Sequence, residues 1–266
     1  ERFKLSLFQK ILKMKINHYE KYIFSFLGKQ NLLDDKSSQF LNCAFDKGDS
    51  DYIVRNNRKL VSKLFCNKEI IFVNQIHSSK IFIFDNLYPN DIKADGIITK
   101  NKNVLLGILT ADCAPIILLG NEYFGILHVG WRGLLSNIIS NAVNLFIKRG
   151  EKKKNIKFFI GPHLKFKSFE VQSDFIENIK KLKNFSIYLK ENQNKILFNY
   201  TKLIEDKIKE LGIDNYKTSG FDTYSNPKKF FSHRYSMKNE LKDCGRQISL
   251  VGYKKWKLYR EIVIYH

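Results

Sequence analysis

The 266 residues predict an α+β fold: one domain with mixed sheets and helices outside them, layered α/β/β/α. Three observations lead there. Short β-rich apolar runs follow one another between Glu69 and Val129, with Asn, Asp, Gly and Pro at the breaks. Helical spacing begins only after Leu134 and is then interrupted by a few later strands. No internal repeat and no Pro/Gly/Ser-rich linker divides the chain. A doubly wound sheet would alternate strand and helix throughout, and this chain gathers its strands first.

Taken in order, residues 1–23 are expected to be an N-terminal extension, with Met14 standing before a domain start, and residues 24–266 a single domain. The runs Glu69–Val73, Lys80–Phe84, Gly96–Thr99, Val104–Leu109, Ile116–Leu119 and Tyr123–Val129 are predicted strands that form the sheet core. From Leu134 the apolar residues Leu135, Ile138, Ile139, Ala142, Val143, Phe146 and Ile147 share one helical face until Gly150 stops it. A strand over Ile156–Ile160 should end at Gly161-Pro162, followed by helices near Asp174–Leu182 and Tyr200–Leu211. Tyr216–Phe221 and Gln247–Tyr253 complete the predicted strands.

The net charge of +20 would ordinarily direct attention to nucleic acid. Its source argues otherwise. The excess is nearly all Lys and accompanies abundant Asn, Ile, Phe and Tyr, with only 4 Pro and 14 Gly, the signature of A/T-rich codons. The lysines are also dispersed, Lys152, Lys153 and Lys154 being the densest run, so nucleic acid is not an expected partner. Cys43, Cys66, Cys113 and Cys244 form no CxxC pair, which fits a reducing compartment. No apolar run reaches the roughly 18 residues of a membrane span, and the expectation is a cytoplasmic protein without a membrane partner.

Six histidines occur, and a lone histidine is more often structural than a ligand. Two of them stand at strand ends, where sites in sheets gather: His77 after the Glu69 strand and His128 in the Tyr123 strand. Cys113 follows a third strand end, in Thr110-Ala111-Asp112-Cys113-Ala114-Pro115. A soft thiolate with two imidazoles suits zinc, and three protein ligands leave the fourth tetrahedral position for a reactant. Asp112 could orient a ligand histidine, or merely cap its own turn. In Gly130-Trp131-Arg132-Gly133, the glycines allow close approach and Arg132 offers a fork matched to phosphate. A tight turn with Trp131 in the core and Arg132 solvated reads equally well. The same residues also suit a metal-free cysteine hydrolase, with Cys113 as nucleophile and His128 or His77 as base. A basic zinc-binding module would require a fourth ligand, and none is apparent near the three.

Asn74-Gln75-Ile76-His77, Ala94-Asp95-Gly96-Ile97-Ile98-Thr99, Thr110 through Pro115, His128-Val129-Gly130-Trp131-Arg132-Gly133-Leu134, Ile160-Gly161-Pro162 and Phe169-Glu170-Val171 follow one another in order. Phe230-Phe231-Ser232-His233-Arg234 and Gly245-Arg246-Gln247 come later. Over roughly residues 24–252 the chain resembles the laccase-domain purine nucleoside phosphorylase family, formerly named for multicopper polyphenol oxidoreductase and including peptidoglycan-editing factors. The resemblance implies that His77, Cys113 and His128 ligate one zinc per chain, with copper a lesser candidate because a multicopper centre needs more histidines. It implies a fold similar to cysteine hydrolases of the cytotoxic-necrotizing-factor type. The implied activity is phosphorolysis of adenosine, inosine, guanosine and methylthioadenosine, with adenosine deamination at the same site. An alternative is hydrolytic removal of a wrong amino acid from cell-wall precursors. Arg132 is the expected phosphate ligand and Glu170 an expected acid/base or ribose partner, alongside Cys113, His77 and His128. His233 and Arg234 are read as supporting the fold, with Arg58 and Asn56 as weaker site candidates, and His18, His163 and His266 as structural or exposed. Three departures from the family pattern are Ser78 after the first ligand, Val129 after His128, and Gly28-Lys29-Gln30 in the N-terminal part.

Overall fold

The computed structural model describes residues 16–29, 40–86, 89 and 91–254; residues 1–13, Met14, Gln30 and His266 lie outside these. A six-stranded sheet is built around a hairpin whose two strands, β7 (Ala114–Leu119) and β8 (Phe124–Val129), are buried at every residue. Strands covered on both faces read as continuous apolar runs, which is why this segment was legible from sequence. The sheet is completed by β4 (Ile81–Ile83), β5 (Gly96–Thr99), β9 (Lys157–Ile160) and β13 (Tyr216–Thr218), in the order β13-β9-β7-β8-β5-β4. A second, five-stranded sheet has the order β1-β2-β14-β6-β3, from β1 (Asn17–Tyr19), β2 (Tyr22–Phe26), β3 (Glu69–Ile71), β6 (Val104–Thr110) and β14 (Gln247–Tyr253). Both sheets are mixed: β3 pairs β6 in parallel while β14 pairs β6 antiparallel, and β4 pairs β5 in parallel while β5 pairs β8 antiparallel.

Period-two alternation sorts the apolar residues into layers. Ile117, Leu119, Phe124 and Ile126 from one sheet meet Leu106, Ile108 and Val251 from the other between the sheets. Their alternates Ile116, Leu118, Leu127 and Val129 pack under α3 (Ile138–Lys148) and α5 (Tyr200–Glu210), through Ile139, Val143, Phe146, Leu203 and Ile204. The outer face of the five-stranded sheet, with Ile23, Leu105, Ile248 and Leu250, is covered by Leu60 and Val61 of α1 (Asp51–Leu64). The architecture is therefore α/β/β/α, as expected.

Several elements differ from the expectations. The helix predicted from Leu134 is two helices, α2 (Trp131–Leu135) and α3, separated where Asn137 adopts φ 66°. Asn tolerates this left-handed conformation. The boundary expected after residue 23 falls inside β2, which pairs with β14 from Tyr22 to Phe26. Helix α1, the short helices α4 (Ser173–Ile179) before α5 and α6 (His233–Lys238) after it, and the sheet β10-β12-β11 (Glu170–Val171, Lys195–Phe198 and Leu189–Asn192) complete the described fold. Among these, α1 and α6 and the β11–β12 hairpin were not anticipated.

Candidate metal centre

The turn from β6 to β7 carries the chain from one sheet to the other, and Cys113 lies in it immediately before β7. His128 is the register partner of Pro115 and shares parity with Phe124 and Ile126, so it faces the space between the sheets at their end. His77 arrives on the loop after β3 with φ 57°. The His77 and His128 rings meet edge to face with centroids 4.8 Å apart. The ligand atoms of His77, Cys113 and His128 all lie within 4.8 Å of one another. Gly130 keeps this space open: a Cβ there would sit 3.1 Å from His77 Cδ2 and 3.4 Å from Cys113 Sγ.

The carboxylate that orients the cluster is Asp95, not Asp112. Asp95 is fully buried; its Oδ1 lies 2.8 Å from His128 Nδ1 and accepts from the His77 backbone N–H at 2.9 Å. Its Oδ2 accepts from the Ser78 N–H and hydroxyl at 2.5 and 2.7 Å. Burial alone would raise the Asp95 pKa, but the bonds from His128 and Ser78 hold it below the ordinary carboxylate value. A carboxylate on Nδ1 fixes the tautomer with its Nε2 lone pair toward the cluster. The family-pattern departure at Ser78 thus supplies a second donor to Asp95. Asp112, at φ 86°, instead accepts from Thr223 Oγ1 and from the Arg234 backbone N–H, each at 2.6 Å.

Burial opposes charge on both Cys113 and His128, yet each stabilises the ionised form of the other. The thiol pKa is drawn below its usual value by His128 and His77, and the imidazole pKa is raised by Cys113 and Asp95. The half-buried sulfur is therefore readily available as thiolate, the form that ligates metals and attacks carbonyls.

The cluster opens into a cleft of about 670 Å³. Arg132 lines it, with its guanidinium 4.2 Å from the Trp131 ring centroid. His233 and Arg234 line it as well. Glu170 does not: its carboxylate is held by Lys238 at 2.8 Å and Lys195 at 3.6 Å. Arg58 stacks between Phe45 and Phe72 and donates to the Cys43 carbonyl at 2.8 Å, while Asn56 is exposed on α1. His18 is exposed on β1, and His163 is buried, bonded to the Gly161 carbonyl and Thr201. Sequence reasoning gave no role to Asp95, Lys47, Tyr200 or Arg246. Asp95 and Arg246 stood inside recognised motifs, and an ionisable residue immediately before the Gly96-Ile97-Ile98-Thr99 strand was the available signal for the former.

The family model described as multi-copper polyphenol oxidoreductase laccase matches residues 26–254. A purine nucleoside phosphorylase of Rickettsia conorii is 33% identical over 185 residues, 68% of this chain and 76% of its own. The purine nucleoside phosphorylase YlmD of Bacillus subtilis is 26% identical over 261 residues, 88% of this chain and 89% of its own. The crystal structure of the Bacillus licheniformis hypothetical protein YfiH superposes with TM-score 0.79 at 24% identity, covering 89% of this chain and 94% of that one.

Proposed function

The chain belongs to the multi-copper polyphenol oxidoreductase laccase family, and from that membership we propose that it is a metal-dependent purine nucleoside phosphorylase. Its substrates are adenosine, inosine, guanosine and methylthioadenosine with phosphate, and adenosine is deaminated at the same site. The names of the relatives support the reaction class. The observation that carries the reading is the meeting of His77, Cys113 and His128 within 4.8 Å, beside a glycine that leaves them room.

These donors fit one zinc per chain: a thiolate held ionised by its neighbours and two imidazoles, one with its outer nitrogen bonded to a carboxylate. When bound, the ion supplies Lewis-acid polarisation of a substrate or water oxygen. His77, Cys113 and His128 would hold it, with Asp95 bonded to the His128 ring and to the His77 backbone. Arg132, stacked on Trp131, presents its N–H fork to phosphate. A phosphate oxygen bonds to the sugar anomeric carbon as the carbon–nitrogen bond breaks, and the electron pair departs with the base. Positive charge develops on the sugar, and an anion held beside it lowers that barrier. Glu170, tied to two lysines, is assigned no part.

A second reading, a cysteine hydrolase of the kind that would edit amino acids on cell-wall precursors, is favoured by one observation: Cys113, His128 and Asp95 form a nucleophile–base–carboxylate chain. Copper chemistry would need histidines beyond the two in this cluster. Among the described residues no helix is long and apolar enough to cross a membrane; a cytoplasmic site of action is part of the proposal.

Inosine and phosphate incubated with the purified chain should release hypoxanthine, and metal analysis should find about one zinc, with both lost in Cys113→Ser. Activity that survives chelation would transfer the assignment to the hydrolase. No free base from any purine nucleoside would end the phosphorylase reading.

A further inference from the structure

We infer that the cleft contains a second anion subsite on its five-stranded-sheet side, formed by Lys47, Arg234 and Arg246, that takes a phosphate dianion or phosphate monoester. All three residues line the cleft that holds the metal cluster. Arg132 stands on the other side, on α2 after the six-stranded sheet. Arginine is rare here, only eight of the 46 basic residues, yet three of the eight line this one cleft. The coding bias that explains the lysines does not explain their placement.

The subsite is constructed rather than accidental. Asn42, almost fully buried, donates to the carbonyls of Ala44 and Lys47 at 3.2 and 3.1 Å. The same side chain accepts from the backbone N–H of Arg246 at 2.9 Å. One buried amide thereby ties the Lys47 loop to the start of β14. Arg234 is placed by Asp112, which accepts its backbone N–H at 2.6 Å and is the neighbour of Cys113. The backbone of the residue that carries this cation is thus bonded directly to the turn that carries the sulfur.

The guanidinium groups are oriented without being neutralised. Arg234 Nη1 donates to the Glu170 carbonyl at 2.9 Å, and Arg246 Nη1 donates to the Gly245 carbonyl at 3.0 Å and to that of Cys244. Backbone carbonyls fix a fork and leave its charge in place. Among the described residues none of the three cations forms an ion pair. His233 lies in their field: its pKa is lowered by burial first, then by Arg246, Arg234 and Lys47, against the opposing pull of Asp112. Like charges held together at a cleft wall disfavour the empty site and attract an anion. A phosphate carrying close to two negative charges and acceptor oxygens on several sides matches two forks and an ammonium. The role in phosphorolysis rests on the function proposed above; the binding does not.

Calorimetric titration of the purified chain with inorganic phosphate, and separately with a nucleoside 5′-monophosphate, tests the subsite at fixed ionic strength. Arg246→Gln and Lys47→Gln should each weaken at least one of the two by about tenfold, the scale of one charge-assisted contact. Loss for inorganic phosphate identifies the site of the co-substrate; loss for the monophosphate alone assigns the subsite to an ester phosphate of the substrate. The Lys47 side chain makes no hydrogen bond among the described residues, so Lys47→Gln decides the matter if Arg246→Gln does not fold. Unchanged affinity for both ligands in the folded variants, or no binding of either by the unaltered chain at millimolar concentration, overturns the inference. A chain that binds phosphate through these residues but releases no base would refute the phosphorylase and leave the subsite standing.

Discussion

Asp95 concentrates more of the site's geometry than any other side chain described. Its two oxygens hold the His128 ring and the backbone turn that carries His77 and Ser78. Asn in its place keeps the shape, but its NH₂ group cannot accept where the carboxylate accepts on both oxygens. Asp95→Asn should therefore weaken metal binding by roughly 10- to 100-fold, the usual effect of losing an outer partner of a ligand histidine. Competition with a chromogenic chelator measures this directly, and an unchanged metal affinity would show that the carboxylate serves only the loop. Part of this scale was legible beforehand: chemistry and strand ends made His77, Cys113 and His128 candidates, and the family resemblance grouped them. Asp112 was the natural guess for the orienting carboxylate because it adjoins Cys113. Adjacency misled, since its left-handed backbone aims the carboxylate at Thr223 and Arg234 instead.

At the scale of elements, His163 joins the end of β9 to α5. It lies at hydrogen-bonding distance from the Gly161 carbonyl through Nδ1 and from Thr201 through Nε2, at 2.8 and 2.9 Å, with Lys165 Nζ 3.2 Å from Nε2. Burial first, then Lys165, push its pKa down to about 3. A histidine near 6.5 when unfolded and about 3 when folded leaves stability intact above 6.5. Below that the unfolded chain binds the extra proton, and stability falls by about 1.4 kcal/mol per pH unit from this group. Melting temperature should decline as pH drops from 7 to 5, with a shallower slope in His163→Asn. An identical slope in the variant would remove His163 as the source. The elements that escaped prediction did so for different reasons. Helix α1 carries Ile53, Val54, Leu60, Val61 and Leu64 at helical spacing, so its signal was present in the sequence and was passed over among the intervening Asn, Arg and Lys. The β11–β12 hairpin is mostly polar and partly exposed, so no period stands out.

For the molecule as a whole, the layer between the sheets connects the core to the site, because the strands that fill it end at Cys113 and His128. Phe124, fully buried there and in contact with Tyr22 at a ring separation of 5.6 Å, tests that connection. Phe124→Ala should cost about 3–5 kcal/mol in urea unfolding, in one transition if the two sheets, β1 and β2 included, unfold as a unit. Metal bound per folded chain should stay unchanged, since the ligands are held by Asp95 and the turns rather than by this ring. Loss of metal at full folding would mean that the inter-sheet layer sets ligand spacing.

Residue chemistry and period-two or helical spacing are local properties, so the sequence by itself determined the α+β class and the principal strands, while His77, Cys113 and His128 were grouped through the family resemblance and their side chains meet in the structure. Which carboxylate supports the cluster, that Glu170 is engaged elsewhere, and that Lys47, Arg234 and Arg246 line one cleft were decided only by the tertiary structure. These depend on where loops far apart in the chain cross and on which way a turn points its side chains. No spacing along the polypeptide encodes that direction.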